Sequence, residues 1–237
     1  MNQVDEVGSR SVGRYFVLGI ALAVLALMYP VLGYGLVGLA AWSGAFWLVL
    51  LGVLRASTTK GRARDFERML ATLAALGSMG TLAFHAMNPE PHRLLFAFFD
   101  VFALLFLVVA TARILKNVLF GDHTQNDHLL GAACAYVLLG LVFAYVLIVL
   151  QGVTGAEQVY VAPENRILVG DPLGLERARL LFLSFVTLTT LGFGDITAIT
   201  LEARMVLGVE AVLGQLYLAI LVARLVGFHT SRDASTP

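Results

Sequence analysis

Six long apolar runs constrain the fold of this chain more than any other feature of its sequence. A helix needs about 20 mainly apolar residues to cross a bilayer. The runs are 15–32, 36–54, 69–87, 94–115, 129–150 and 205–227. Hydrophobic residues make up 59% of the chain and charged residues 14%, whereas soluble domains average about 45–50% apolar and about 25% charged. The sequence therefore predicts an all-α membrane protein with six transmembrane helices.

A glycine-containing string, T-T-L-G-F-G-D, occupies residues 189–195, between the fifth and sixth runs. Glycine adopts left-handed φ/ψ values at little cost, so Gly192 and Gly194 allow successive carbonyl oxygens to point the same way. Such oxygens can replace the water shell of a cation, and four chains around one axis would complete each ring of ligands. The candidate ligands are the Thr190 hydroxyl and the carbonyls of Thr190, Leu191, Gly192 and Phe193.

This string resembles the selectivity filter of potassium channels, which reads T-V-G-Y-G-D in most members and T-L-G-F-G-D here. The resemblance covers residues 174–227 and implies a pore helix, a filter and a last membrane helix in a K⁺-conducting tetramer. Family members turn the valine side chain away from the ions, so Leu191 is a modest change. In the family the tyrosine hydroxyl ties the filter to neighbouring aromatics. We therefore expect Phe193 to affect the rigidity of the filter more than its ion preference.

The segment before the string, 179–189, is too short to cross the bilayer and is typical of a re-entrant pore helix. Non-helical backbone at membrane depth is tolerated where protein buries it or it lines a water-filled path. Asp171 and Pro172 offer a start for this helix, as a capping carboxylate and a first-turn proline. Its C-terminal end carries a negative dipole that favours a cation in the cavity. We assign Thr187 and Thr189 to the pore helix and cavity.

The resemblance also gives expectations for the rim of the filter and for the last helix. Asp195 follows the second glycine and is expected at the outer rim, where family members bind it to pore-helix groups. The position of a common pore-helix glutamate partner holds Val186 instead. Gly214 lies near the middle of the last run, where the family places a bending glycine, and Gly208 offers a second such point. Close helix packing is the alternative interpretation of these glycines.

Two carboxylates fall inside apolar runs, at Asp100 and Glu210. Each costs at least about 2.5 kcal/mol at a helix centre. We expect Asp100 to face the helix bundle or a water-filled crevice. We expect Glu210 to lie behind the pore helix and to hold Thr187 or backbone groups, and Gln215 to face the cavity or a neighbouring helix. A structural role is the first interpretation for both acids, and gating is the alternative.

Basic residues predict that both termini are cytoplasmic, because the loop 55–68 is rich in arginine and lysine. Binding of anionic lipid head groups is the alternative interpretation of that loop. The basic residues left outside are Arg93, Arg166, Arg177, Arg179 and Arg204. The predicted units are an N-terminal segment (1–14), a four-helix peripheral unit (15–116), a cytoplasmic linker (117–128), a pore domain (129–228) and a short tail (229–237).

Residues 94–109 contain no arginine or lysine, and only Arg113 and Lys116 follow in the fourth run. A voltage sensor needs several such charges, so we expect weak or absent intrinsic voltage dependence. Because ten residues follow Gly227, we expect no attached regulatory domain. The pattern G-x-G-x-x-G at 33–38 fits the dinucleotide-binding motif. It links two membrane helices with no preceding strand, so we interpret it as a tight turn with helix-packing glycines. We predict no enzyme, and no cofactor besides K⁺ as the permeant ion.

The sequence therefore favours a potassium-selective channel subunit of a homotetramer in contact with membrane lipids. One alternative is a cation channel of relaxed selectivity, permitted by Leu191 and Phe193. A second is a transporter subunit built from internal repeats, which predicts several filter-like loops where this chain has one. A third is a non-conducting membrane sensor or scaffold. The formal net charge is zero, so nothing favours nucleic acid, and a separate regulatory subunit is left open.

Overall fold

The computed structural model describes residues 4–32, 34–57, 61–87, 93–120, 125–154, 160–161 and 172–233. The helices are α1 (Val4–Leu27), α2 (Gly35–Ala56), α3 (Arg62–Met87), α4 (Arg93–Phe120), α5 (Gln125–Thr154), α6 (Pro172–Leu188) and α7 (Leu201–Asp233). A short 3₁₀ helix, Tyr29–Val31, follows α1. Two strands, β1 (Tyr160–Val161) and β2 (Thr197–Ala198), pair antiparallel. The predicted all-helical class is confirmed, with this small two-stranded addition.

Five of the described helices are long and apolar enough to cross a membrane. Their spanning parts are Gly35–Ala56, Arg62–Met87, Leu94–Leu119, Leu129–Thr154 and Leu201–Arg224. These correspond to the last five predicted runs and confirm them by length and composition. The first run, Tyr15–Val31, is a shorter apolar stretch, at the lower end of the spanning range of about 17–25 residues. Its membrane crossing stays a prediction.

Helix α6 is the short helix predicted before the filter. It has 17 residues, and at about 1.5 Å per residue it is shorter than the bilayer core of about 30 Å. It begins at Pro172, earlier than the apolar segment 179–189 suggests, because the proline suits the first turn. The proposed cap, Asp171, lies outside the described residues, as do Arg166 and Gly33.

Helix α5 is at the centre of the packing and contacts α1, α4, α6 and α7. Its buried side chains include Leu138 and Leu147, and Phe46 of α2 stacks on Tyr145 of α5 at 5.6 Å. The predicted linker 117–128 is helical at both described ends, since α4 continues to Phe120 and α5 begins at Gln125. Of the peripheral helices, α1 and α4 pack directly on α5, as do the pore helices α6 and α7, and α2 also contacts α6.

Candidate ion-conducting site

The filter loop, residues 189–195, has an alternating backbone conformation. Gly192 and Gly194 have φ values of 55° and 76°, as their positions predict. Thr190 has a φ of 56° and is the one non-glycine with positive φ in the described chain. A β-branched residue in this region is a strained outlier, and such strain tends to persist at functional sites. Every second residue from Thr190 to Gly194 is therefore left-handed.

Hydrogen bonds fix the direction of the filter carbonyls. The backbone N–H groups of Leu191 and Gly192 donate to the Val186 carbonyl at 2.9 and 3.4 Å. The described chain contains no cis peptide bonds, and in a trans peptide the N–H and the preceding C=O point in opposite directions. The carbonyls of Thr190 and Leu191 consequently point away from α6. Two of the predicted ligand oxygens thus point away from the helix that holds the loop.

An aromatic contact supports the outer half of the filter loop. The ring of Phe193 stacks on Phe182 of α6, with centroids 6.1 Å apart and planes within 3°. Offset stacking of this kind contributes about 0.5–1.5 kcal/mol beyond area burial. Phe193, which lacks the hydroxyl of the family's tyrosine, is therefore held through its ring. Its side chain is otherwise exposed in the single chain.

Side-chain hydrogen bonds hold the base of the filter loop. The Thr189 hydroxyl donates to the Phe185 carbonyl at 2.7 Å, and the Thr187 carbonyl accepts the Thr190 N–H at 2.9 Å. From α7, the Gln215 amide donates to the Thr190 hydroxyl oxygen at 3.3 Å. Thr190 therefore has its hydroxyl oxygen oriented by a neighbouring helix. Gln215 was expected to face the cavity or a neighbouring helix, and its described contact is instead with Thr190 of the filter loop.

Tyrosines of α5 and α7 brace the end of α6. The Tyr136 hydroxyl donates to the Leu188 carbonyl at 3.1 Å. Its ring stacks on Tyr217, with centroids 5.7 Å apart, and the Tyr217 hydroxyl donates to the Ala132 carbonyl at 2.7 Å. This chain of contacts ties α5, α6 and α7 together directly below the filter loop.

The described contact of Asp195 lies within its own loop, where its Oδ1 accepts the Ile196 N–H at 3.1 Å. The side chain is exposed. Val186, which occupies the position of the family's glutamate, is buried. Its carbonyl accepts the hydrogen bonds of Leu191 and Gly192 in the filter loop. The position of Asp195 is compatible with the predicted rim, and its role there stays a prediction.

Glu210 is fully buried behind α6, where its Oε1 lies 2.5 Å from the Ser184 hydroxyl. The expectation that Glu210 holds Thr187 or backbone groups was wrong, because its described partner is Ser184, one helical turn before Thr187 on α6. The same hydroxyl lies 2.8 Å from the Gly140 carbonyl. A serine has one proton and can donate to one of these two acceptors. Both contacts are hydrogen bonds when Glu210 is protonated and donates to Ser184.

Gly214 is the point of closest approach between α7 and α6. A Cβ at this position would lie 2.6 Å from the Leu188 carbonyl oxygen and 2.9 Å from its Cδ1. Only glycine permits this approach without a shift of the helices. At Gly208, by contrast, a Cβ would meet nothing within 4 Å. The structure thus gives Gly214 a packing role, and the proposed hinge stays a prediction.

Asp100 is buried in α4 and forms a two-point ion pair with Arg177 of α6. The Arg177 guanidinium donates to Asp100 Oδ1 at 3.0 Å and to Oδ2 at 2.7 Å. The expectation that Asp100 faces the helix bundle agrees with this position. The expectation that Arg177 lies on the outside of the membrane stays a prediction, and within the chain its side chain is buried in this ion pair. One signal in the sequence could have indicated this pair. Charged residues within membrane helices tend to pair with one another, and Asp100 and Arg177 both lie in such helices.

The filter loop and α7 leave apolar surface exposed in the single chain. Leu191 and Phe193 are more than half exposed. The large exposed side chains of α7 are Leu201, Met205, Val209, Val212, Leu213, Leu216, Leu218, Ile220 and Val222. Their surface is continuous with the filter loop in sequence and faces away from α5 and α6.

Comparison with known proteins agrees with the geometry of this half of the chain. Residues 168–231 match a protein family described as an ion channel family. No curated protein and no solved structure matches the chain. The match begins before α6 and ends within α7, so it contains the whole filter loop. The chain therefore carries an ion channel pore domain in a multi-pass membrane protein, and the prediction that it is not an enzyme is confirmed.

Proposed function

We propose that this protein is one subunit of a potassium-selective channel in which four copies surround a single pore. The observation that carries the proposal is the filter backbone: alternate positive φ values at Thr190, Gly192 and Gly194, with N–H groups folded back on Val186. This arrangement turns carbonyl oxygens outward from the subunit, where rings of oxygens can replace the hydration shell of K⁺. One chain supplies one filter loop, so the rings require further copies.

The predicted ion ligands are the carbonyls of Thr190, Leu191, Gly192 and Phe193, together with the Thr190 hydroxyl. Two contacts make the filter loop rigid, and a rigid loop supports a site of fixed size that fits K⁺. Phe182 holds the ring of Phe193, and Gln215 orients Thr190. Asp195 would form the outer rim of the filter. Thr187 and Thr189 would lie at the end of the pore helix that faces the cavity. Both termini would be cytoplasmic, and the absence of arginine and lysine from residues 94–109 supports weak intrinsic voltage dependence.

The proposal is tested by K⁺ flux into liposomes that contain the purified protein. We expect barium-sensitive flux that favours K⁺ over Na⁺. Gly192→Ala should abolish the flux, because alanine in left-handed backbone costs about 1–2 kcal/mol per subunit and displaces the carbonyls. Gly44→Ala in α2 is the matched control, since a Cβ there also meets nothing within 4 Å, and it should conduct like the wild type.

Three results would contradict the proposal. Equal K⁺ and Na⁺ flux would indicate a relaxed cation channel. Flux that survives Gly192→Ala would indicate a path outside the filter loop. Absence of flux from wild-type protein, in its assembled state and over a range of pH, voltage and lipid composition, would favour the non-conducting sensor.

A further inference from the structure

A buried ion pair joins the peripheral helices to the pore helix. Asp100 and Arg177 are 77 residues apart in sequence, and both are buried. Helix α4 otherwise packs mainly on α3 and α5, and α6 packs on α5, α7 and α2. The pair is thus the main described link between α4 and α6. We propose that Asp100 and Arg177 are positioning residues through which the peripheral unit sets the position of α6 and hence of the filter.

The chemistry of the pair suits positioning better than stabilisation. Buried ion pairs often contribute little net stability, because desolvation offsets their attraction. A guanidinium and a carboxylate that meet at two points, however, fix both distance and direction. Apolar contacts between helices permit small slides and rotations that such a pair does not. The pair would therefore define the height and the rotation of α6 relative to α4.

A displacement at Arg177 reaches the filter through a short rigid element. From Arg177 to Leu188, α6 is about 16 Å long at 1.5 Å per residue. Its far end carries the Val186 carbonyl that holds Leu191 and Gly192, and the Leu188 carbonyl that holds Tyr136. A tilt of α6 about its bracing tyrosines would change the spacing of the filter carbonyls. The pair would in this way act on conduction without touching an ion.

The surroundings of the pair connect it to the whole peripheral unit. A cavity of about 30 Å³ lies beside it, with Trp42 of α2, Thr81 of α3 and Tyr145 of α5 among its lining residues. Such a volume holds a water molecule or two. Helices α2, α3 and α4 thus meet α6 at one point, and the side chains themselves make the connection. The inference rests on the proposed channel function.

Three variants separate positioning from folding. Asp100→Leu with Arg177→Met removes both charges together, which avoids a buried unpaired charge. Arg177→Lys keeps the charge and removes the two-point geometry. Arg179→Gln is the control, because it removes a positive charge from the same helix two residues away. Flux of K⁺ into liposomes is measured per assembled protein, beside thermal stability and oligomeric state.

We expect the double variant and Arg177→Lys to assemble like the wild type and to conduct differently, with K⁺ flux lower by about tenfold, within the about 5–150-fold typical of coupled sites. Arg179→Gln should conduct like the wild type. Wild-type flux per assembled protein in the double variant would overturn the proposal. Failure of both test variants to assemble, with Arg179→Gln assembled, would also overturn it, because the pair would then serve folding. Wild-type flux in the same preparations tests the channel function separately.

Discussion

The peripheral helices and the last pore helix have similar apolar character and different burial. The mean hydropathy of the spanning part is 2.0 for α2, 2.6 for α4 and 2.0 for α7. In the most apolar stretch of each helix, 50%, 44% and 11% of the residues are buried within the chain. Helices α2 and α4 therefore complete about half of their packing within the chain, and α3, with 28% buried, completes less. The pore unit, with its exposed filter loop and α7, is packed as if further copies complete it.

Two of the buried acids, Asp100 and Glu210, show the same contrast on a smaller scale. Asp100 joins two units of the chain and is neutralised by a full opposite charge on Arg177. Glu210 lies within the pore unit and meets a neutral hydroxyl on Ser184. The first arrangement links elements that could otherwise move separately, and the second fills a tightly packed seam between α5, α6 and α7.

The largest effect is expected from leucine substitutions in α7, which would weaken contacts between subunits. Matched substitutions in α2 would affect only contacts with lipid. Leu213 and Leu216 of α7, and Leu48 and Leu51 of α2, are all exposed leucine pairs at the same spacing. Lipid is as apolar as leucine, so helix association in membranes relies on close packing. We expect alanine at both α7 positions to weaken assembly by on the order of 1 kcal/mol per leucine. The α2 pair should leave assembly unchanged.

Native mass measurement of the detergent-solubilised protein distinguishes the two leucine pairs. A shift to monomer for the α7 variant alone would sharpen the contrast between the two regions. Equal behaviour of both variants would break it, because α7 would then have no more need of partners than α2.

The second prediction concerns the closest contact within the pore unit. We expect Gly214→Ala to reduce the free energy of unfolding by about 1–3 kcal/mol, because its Cβ would overlap the Leu188 carbonyl. Gly208→Ala should increase stability slightly, since alanine favours helix. Thermal unfolding measures both variants. A Gly214→Ala protein of wild-type stability with altered opening would instead favour the predicted hinge.

The smallest effect is expected at Glu210. Glutamine keeps an amide donor toward Ser184, so Glu210→Gln should change the free energy of unfolding by less than about 1 kcal/mol. Glu210→Ala removes the donor and leaves a cavity, and should be clearly less stable. If Glu210→Gln were as unstable as Glu210→Ala, the carboxylate would have to be charged in its native contacts, and the protonated arrangement with Ser184 would be wrong.

Local patterns in the sequence predicted the parts of this structure that depend on neighbouring residues. The five later spans follow from length and hydropathy. The start of α6 at Pro172 follows from the fixed φ of proline, and the conformations at Gly192 and Gly194 follow from glycine's freedom. The positive φ of Thr190 was not predicted. A β-branched residue disfavours this conformation, and the contacts of the loop impose it.

The long-range partners could not be predicted, because no periodicity relates them. Arg177 was counted among the basic residues on the outside and given no partner, although it pairs with an acid 77 residues away. Glu210 was expected to hold Thr187 or backbone groups, and its described partner is Ser184, one turn from Thr187 on the same helix. The choice between them depends on the rotation of α7, and the contact of Gly214 with Leu188 fixes that rotation. Sequence spacing shows that such charges need partners and leaves the partners open.

The central claim is that the filter loop forms a K⁺-selective path. The most direct test is the reversal potential of wild-type protein in a planar bilayer with K⁺ on one side and Na⁺ on the other. We predict a current that reverses far toward the K⁺ equilibrium potential and is blocked by barium. A barium-insensitive current that reverses near zero under these conditions would contradict the claim.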